Sequence, residues 1–345
     1  MKRDVLFYNV YKEDLWRAVM QDKIRYGILS TSSTVKRFVS AMEETGTGKV
    51  TAIASRTQLR AEEAAAALGI PNAYGDYHEL LKDPDIDAVY IPVINSLHYT
   101  YAKDALLAGK HVVMEKPFVL HVEQAKELFE LAESRNLFLT EAIKTPFLPV
   151  YDYVLKQIEE RNLGAIRFME FHQSYVGGSY IAGWNRQKKF GGGVLIANEA
   201  YFFRMAEFFG GKIVACHGEA SFEESGVEEQ ITLSVRLENN CLASLGVSTN
   251  ILFYNGLTIY LDRGRIVIPD YWKADRAMIY ENGILTAEKS FPCTYEFRYE
   301  LSHYNDCIRS GLSSSPVNSP ERTIRYIGIC EELYKTWDKE RTVSL

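Results

Sequence analysis

From residue 24 onward the chain alternates short apolar runs with segments of helical period, and this alternation limits the architectures open to it. Strand-like runs occupy residues 24–29, 50–54, 88–94, 111–114 and 137–140. Between them Val35, Phe38, Val39 and Met42 recur at helical spacing, and residues 60–68, 99–108 and 123–134 also read as helices. β-α units of this length require parallel strands, and right-handed crossovers then give a doubly wound, Rossmann-like α/β sheet.

Residues 109–118 read as a helix stop, a strand and a fixed charged pair. Gly109 suits a left-handed helix cap. Residues 111–114 are mostly β-branched and apolar, as in a parallel strand covered on both faces. Glu115 and Lys116 then lie at the carboxyl end of that strand, where open α/β sheets bind ligands. Pro117 fixes its own φ and restricts Lys116. Taken alone, the pair is also compatible with a solvated lysine beside a glutamate, a weak surface contact.

"AGKHVVMEKP" resembles the Glu-Lys-Pro signature of the Gfo/Idh/MocA family of nicotinamide-dependent oxidoreductases. The resemblance implies that Lys116 reaches a substrate hydroxyl beside the nicotinamide ring. In "IPVINSLHYTYAKDALLAGKHV", Asn95 and His98 match the family's third-strand loop, while Val93 and Ile94 replace a small hydroxyl residue and a proline. His98 either faces the cofactor or is a packed or solvated histidine at a helix start. "TEAIKTPFLPVYDYV" resembles the family's inter-domain segment, particularly in its dihydrodiol and sugar dehydrogenase branch. The likeness covers about residues 24–338.

A dinucleotide site needs a tight turn after the first strand and a helix N-terminus for the pyrophosphate. Gly27 is present, but Ser30, Thr31 and Ser32 stand where the family carries further glycines. Their hydroxyls suit helix capping or phosphate donation, and their Cβ atoms add bulk. The second strand ends in Ser55-Arg56. An arginine there suits a 2′-phosphate, so NADP(H) is expected over NAD(H); a solvated arginine at a helix start is the other reading. With Asn95, His98, Glu115 and Lys116, these residues make up the expected cofactor site.

Beyond Pro146 and Pro149 the pattern changes. Strands are expected at 165–175, 212–222, 230–237, 241–248, 257–261 and 265–268, with turn signals such as Asn239-Asn240 and Asn282-Gly283. This predicts an α+β domain with a large, mostly antiparallel open sheet, a meander with helices on one face, closed by a helix over 321–337. "WNRQKKFGGGVLIANEAYFFRMAEFFGG" resembles the family's triple-glycine segment and the helix after it. Tyr201 matches, whereas Ala197 stands at an aspartate position and Glu199 at a glycine. Helical spacing puts 197 and 201 on one face and turns 199 away. Tyr201 is expected either to join Lys116 as an acid/base pair or to pack beside Phe202, Phe203 and Phe208. His172, Trp184 and Arg186, with Tyr175, Tyr180 and Asn185, are expected to line a pocket for a neutral polyol.

A chain of 345 residues suggests two domains: 23–145 for the dinucleotide and 146–345 for substrate binding and dimerisation, after an extension over 1–22. A net charge of −6 without a basic patch argues against nucleic acid. No apolar stretch approaches the roughly 18 residues of a membrane span. The five cysteines are scattered, which argues against a metal centre or a disulfide framework. A cytoplasmic, metal-free protein is expected, and the resemblance implies a homodimer or homotetramer. The expected activity is hydride transfer between a nicotinamide and a hydroxyl or carbonyl carbon of a sugar or small cyclic alcohol. The alternative is a weak or inactive relative that senses a dinucleotide or sugar, or binds a protein partner.

Overall fold

The computed structural model describes residues 23–176 and 183–343; the expected extension and Tyr180 lie outside them. Its first sheet contains β1 (Ile24–Leu29), β2 (Gly48–Ala54), β3 (Asn72–Tyr74), β4 (Ala88–Ile91), β5 (His111–Glu115) and β6 (Leu139–Ala142). The strands are parallel throughout, in the order β3-β2-β1-β4-β5-β6. Helices α1 (Val35–Thr45), α2 (Gln58–Leu68), α3 (Tyr77–Lys82), α4 (His98–Leu107) and α5 (Val122–Ser134) make the crossovers. Every residue of β4 is buried, as a centrally placed parallel strand covered on both faces requires. Gly109 takes φ 77° just past α4, the left-handed stop expected of it.

Sequence reading passed over β3 and α3. A strand of three residues shows no period, and α3 is barely longer than one turn. The local signal for α3 is its N-cap: the Asp76 carboxylate accepts from the backbone N–H groups of His78 and Glu79.

The second sheet follows α6 (Pro149–Glu160) and packs one face on α7 (Val194–Gly210). It contains β7 (Ile166–Ser174), β8 (Ile213–Phe222), β9 (Glu228–Leu237), β10 (Leu242–Ser248), β11 (Gly256–Leu261), β12 (Gly264–Pro269), β13 (Arg276–Glu281) and β14 (Ile284–Ser290). Its order is β14-β13-β12-β11-β7-β10-β9-β8, so the expected single meander is corrected. β7 separates two meanders, pairing antiparallel with β11 and parallel with β10. Met169 and Phe171 of β7 enter a core with Leu233, Leu245, Phe202 and Phe203. Alternation therefore turns Phe168, Glu170 and His172 to the opposite face.

The C-terminal part returns to the first sheet. Helix α8 (Phe297–Arg309) buries Phe297, Leu301 and Tyr304 with Tyr26, Phe38 and Phe138. The Tyr26 hydroxyl donates to Asn305 Oδ1 at 2.9 Å. Helix α9 (Pro320–Val343) serves both layers, with Ile327 in a core of the first sheet and Tyr326 and Trp337 in that of the second. Among the described residues no helix is long and apolar enough to cross a membrane.

Candidate active site

The carboxyl end of β5 delivers Glu115 and Lys116 to the seam between the two sheets. The Tyr90 hydroxyl donates to Glu115 Oε1 at 2.5 Å, and the Lys116 N–H donates to Oε2 at 3.1 Å. Both carboxylate oxygens of Glu115 are thus occupied in holding the strand end. The Lys116–Pro117 peptide is cis. Lys116 Nζ donates to the Ala197 carbonyl at 2.9 Å and lies 5.1 Å from the centre of the Tyr201 ring. The expected pair is brought together, with the ammonium facing the ring. Burial raises the Tyr201 phenol above its ordinary pKa, and the Lys116 charge opposes that rise.

A second lysine, not singled out in the sequence, shares this ring. Lys144 follows β6, is 3% exposed, and places Nζ 5.8 Å from the Tyr201 ring centre. It donates to Glu296 Oε1 at 2.9 Å, and Arg37 of α1 pairs with the same oxygen. Burial lowers the Lys144 pKa, with Glu296 opposing. Burial acts to raise Glu296, but Lys144 and Arg37 outweigh it and hold the carboxyl at about 2. Close by, burial and the Glu115 charge push Glu300 up to about 8. The signal for Lys144 was its place in the quoted inter-domain segment, one charged residue among apolar neighbours.

The loop after β1 meets the start of α1. Gly27 is not a point of phosphate approach: a Cβ there would come within 2.7 Å of Leu80 Cδ2 and 3.0 Å of Ile86 Cδ1. It is a packing glycine beneath α3. Ser30 takes φ 155°, at the edge of the range that favours glycine. Its hydroxyl accepts from the Ser32 N–H at 3.1 Å, and the Ser32 and Thr34 hydroxyls are 3.0 Å apart. Thr31 is exposed. No side chain caps the first turn of α1; the Val35 N–H donates to the Ser32 carbonyl at 3.1 Å, and the remaining N–H groups of the turn suit an anion. After β2, Ser55 is buried and donates its N–H to the Tyr74 carbonyl, while Arg56 is exposed and has no ion-pair partner among the described residues. An uncapped helix start and an unpaired guanidinium at neighbouring strand ends fit a phosphate-bearing dinucleotide.

Other expected contacts have structural roles. Asn95 is buried and donates from Nδ2 to the Gly191 carbonyl at 2.8 Å, joining the first sheet to the triple-glycine segment. His98 is 1% exposed, with Nδ1 2.7 Å from the Pro117 carbonyl and Nε2 3.1 Å from that of Val93. Burial lowers its pKa. Its ring lies between the ends of β4 and β5, both nitrogens within reach of backbone carbonyls, to one of which the neutral imidazole donates its single N–H. Gly193, at φ 131°, passes so close to Glu228 that a Cβ would lie 2.3 Å from Oε1.

His172 is a correction: it stacks on Phe253 with ring centres 5.2 Å apart, on the sheet face away from α7. Its neighbour Gln173 takes the inner position, 2% exposed, donating to the Tyr175 hydroxyl at 2.9 Å. Tyr175 in turn donates to Asn198 Oδ1 at 3.0 Å. Arg186 is exposed and bound to Glu223 Oε2 through Nε and Nη2 at 2.9 and 2.8 Å, which engages the charge expected for substrate. Trp184 is half-buried in the turn Gly183–Arg186.

Residues 24–142 match an oxidoreductase family with an NAD-binding Rossmann fold, Gfo/Idh/MocA, and residues 151–267 match the C-terminal domain of that family. The chain is 29% identical over 308 residues to a trans-1,2-dihydrobenzene-1,2-diol dehydrogenase of Xenopus laevis, covering 86% of this chain and 92% of that one. It is 26% identical over 328 residues to the protein of that name from Homo sapiens, covering 90% and 96%. A 3-ketoreductase from Actinomadura kijaniata, solved with NADP and TDP-benzene, shares the fold with a TM-score of 0.79 at 24% identity, over 89% of this chain and 95% of that one. A biliverdin reductase from Synechocystis, solved with biliverdin and NADP+, does so with a TM-score of 0.75 at 18% identity, over 90% and 98%.

Proposed function

The chain belongs to the Gfo/Idh/MocA family of oxidoreductases, and from that premise we propose that it is an NADP(H)-dependent oxidoreductase acting on a hydroxyl or carbonyl carbon of a small cyclic alcohol or sugar. The observation that carries the reading is Lys116, held at the carboxyl end of β5 with its ammonium 5.1 Å from the Tyr201 ring. A bound nicotinamide would supply or accept the hydride. Lys116 donates the proton to the nascent alkoxide in reduction and takes it back in oxidation. Tyr201 faces the ammonium and shields it from water. The α1 N-terminus and the Ser30–Ser32 loop hold the pyrophosphate, and Arg56 holds the 2′-phosphate, which favours NADP(H) over NAD(H). The names of the dehydrogenase relatives support a cyclic diol as the first substrate class to screen.

The test has two stages. Fluorescence titration with NADPH and NADH should show micromolar binding, tighter for NADPH, and Arg56→Ala should erase the difference. Lys116→Ala should then lower kcat on the best polyol by about 10²–10⁴-fold with the NADPH affinity retained. Unchanged turnover in Lys116→Ala sinks the catalytic assignment. A second reading, a sensor that binds the dinucleotide without turnover, draws on the Cβ atoms in the Ser30–Ser32 loop. It gains if NADPH binds and a broad polyol panel gives no reaction.

A further inference from the structure

Two lysines face the Tyr201 ring, and the chemistry above uses one of them. The other, Lys144, places Nζ 5.8 Å from the centre of that ring and 5.0 Å from that of Phe297. Aromatic faces steady a cation without offering it an oxygen. A lysine ammonium carries three N–H donors. Among the described residues the one acceptor that Lys144 meets is Glu296 Oε1, at 2.9 Å. Arg37 reaches the same oxygen from α1, so a single carboxylate serves two cations. The other carboxyl that bears on the lysine is Glu300. Burial and the Glu115 charge push it up to about 8, so it keeps its proton at neutral pH. The surroundings of Lys144 therefore hold a surplus positive charge and buried donors still to be met. The Tyr201 hydroxyl, on a half-buried side chain, also makes no hydrogen bond among the described residues.

We propose that Lys144 is a specificity-determining residue and that the substrate is a sugar acid, a cyclic polyol bearing a carboxylate, which Lys144 binds while Lys116 meets the hydroxyl that reacts. A carboxylate supplies what the surroundings lack: an opposite charge and acceptors for the remaining N–H groups, in a place shielded from water. A neutral polyol, the class expected from the sequence, leaves that charge unanswered. The two ammoniums lie 5.1 and 5.8 Å from one ring centre, so a single six-carbon molecule can touch both. The phosphates of the dinucleotide are assigned to the ends of β1 and β2, which stand three and four strands away from β6 in the sheet. At ordinary strand spacing that is about 14 and 19 Å, too far to serve Lys144. The inference rests on the hydride-transfer reading for the hydroxyl that reacts, but its test reads binding.

The experiment is isothermal titration of the full chain, with and without NADP+, using pairs of ligands that differ in a carboxylate: glucose and glucuronate, galactose and galacturonate, myo-inositol and quinate. In at least one pair the acid should bind about tenfold or more tightly than its neutral partner, the size of one charge-assisted contact. In Lys144→Met that preference should fall to about twofold or less. The double variant Lys144→Met/Glu296→Gln removes both members of the ion pair, leaves no buried charge behind, and must lose the preference too; it carries the test if the single variant does not fold. Equal affinity within every pair, tighter binding of the neutral partner, no binding by any of these ligands, or a preference that survives in the variants overturns the proposal. For an acid that is turned over, Lys144→Met should act mainly on KM, whereas Lys116→Ala acts on kcat. An acid bound selectively but not oxidised sustains the Lys144 assignment and sinks the hydride-transfer reading. A neutral polyol oxidised in a Lys116-dependent way, with no preference for its acid, does the reverse.

Discussion

Lys144 Nζ lies 2.9 Å from Glu296 Oε1 and is almost fully shielded from water. An ammonium in that position is stable because its carboxylate is beside it, and removing one partner leaves a buried charge. The pair joins the segment after β6 to the start of α8, next to Tyr201. Glu296→Gln should therefore destabilise the fold. The Glu296 pKa falls from 4.5 unfolded to about 2 folded. Its contribution is thus present above pH 4.5 and lost as the pH falls through 2, and the shift corresponds to about 3 kcal/mol. Urea unfolding at pH 7 and pH 3 checks this: the difference between wild type and Glu296→Gln should shrink at the lower pH. An equal difference at both values would remove the electrostatic explanation.

Glu300 carries the opposite sign. Its folded pKa is raised from 4.5 to about 8, because burial and the Glu115 charge disfavour ionisation. The contribution is complete below pH 4.5 and is lost as the pH rises through 8. Stability should decline across that window, and Glu300→Gln should flatten the decline. The Gln variant is expected to exceed wild type in thermal midpoint at pH 8.5 and to fall level with it or below at pH 5. A parallel decline in both proteins would refute the assignment.

The alternation of apolar, β-branched-rich runs and helical spacing was enough to locate β1, β2, β4 and β5, whereas β6 starts two residues later than expected, at Leu139, because the strand carries the buried polar residues Thr140 and Glu141. Position β7 between β10 and β11 was not legible, since strand pairing is set by contacts distant in sequence. Helix α8 was legible in principle: Phe297, Leu301, Tyr304 and Ile308 recur at helical spacing. The site divided in the same way. Lys116 was fixed by local words, a strand end followed by proline. Lys144, Glu296 and Arg37 come from three distant segments, and no local pattern ties them together.

Ser30 and Gly27 have exchanged the roles that a glycine-rich fingerprint would suggest. Gly27 packs under Leu80, and Ser30 holds the backbone conformation that favours glycine. Ser30→Gly should relieve strain and raise stability by about 1 kcal/mol, while opening space for the pyrophosphate. Gly27→Ala should cost about 1–3 kcal/mol by overpacking, with the NADPH affinity per folded molecule unchanged. Urea midpoints and NADPH titrations on both variants check the pair. Weaker NADPH binding in Ser30→Gly would show that the serine hydroxyl is itself a ligand.

Adjacent positions on β7 face opposite sides of the second sheet. Gln173 points toward α7 and joins Tyr175 and Asn198 in one hydrogen-bonded chain, whereas His172 stacks on Phe253 on the far face. Because side chains alternate along a strand, a reading displaced by one residue selects the wrong face. Gln173→Ala should disconnect Tyr175 and raise KM for the polyol found in the screen by about tenfold, equivalent to about 1.4 kcal/mol of lost hydrogen bonding. His172→Ala should leave kcat and KM within twofold of wild type, because its ring is separated from Tyr201 by the thickness of the sheet. Steady-state kinetics on the two variants decide between the faces: a large effect for His172→Ala and none for Gln173→Ala would place the substrate on the open side of the sheet.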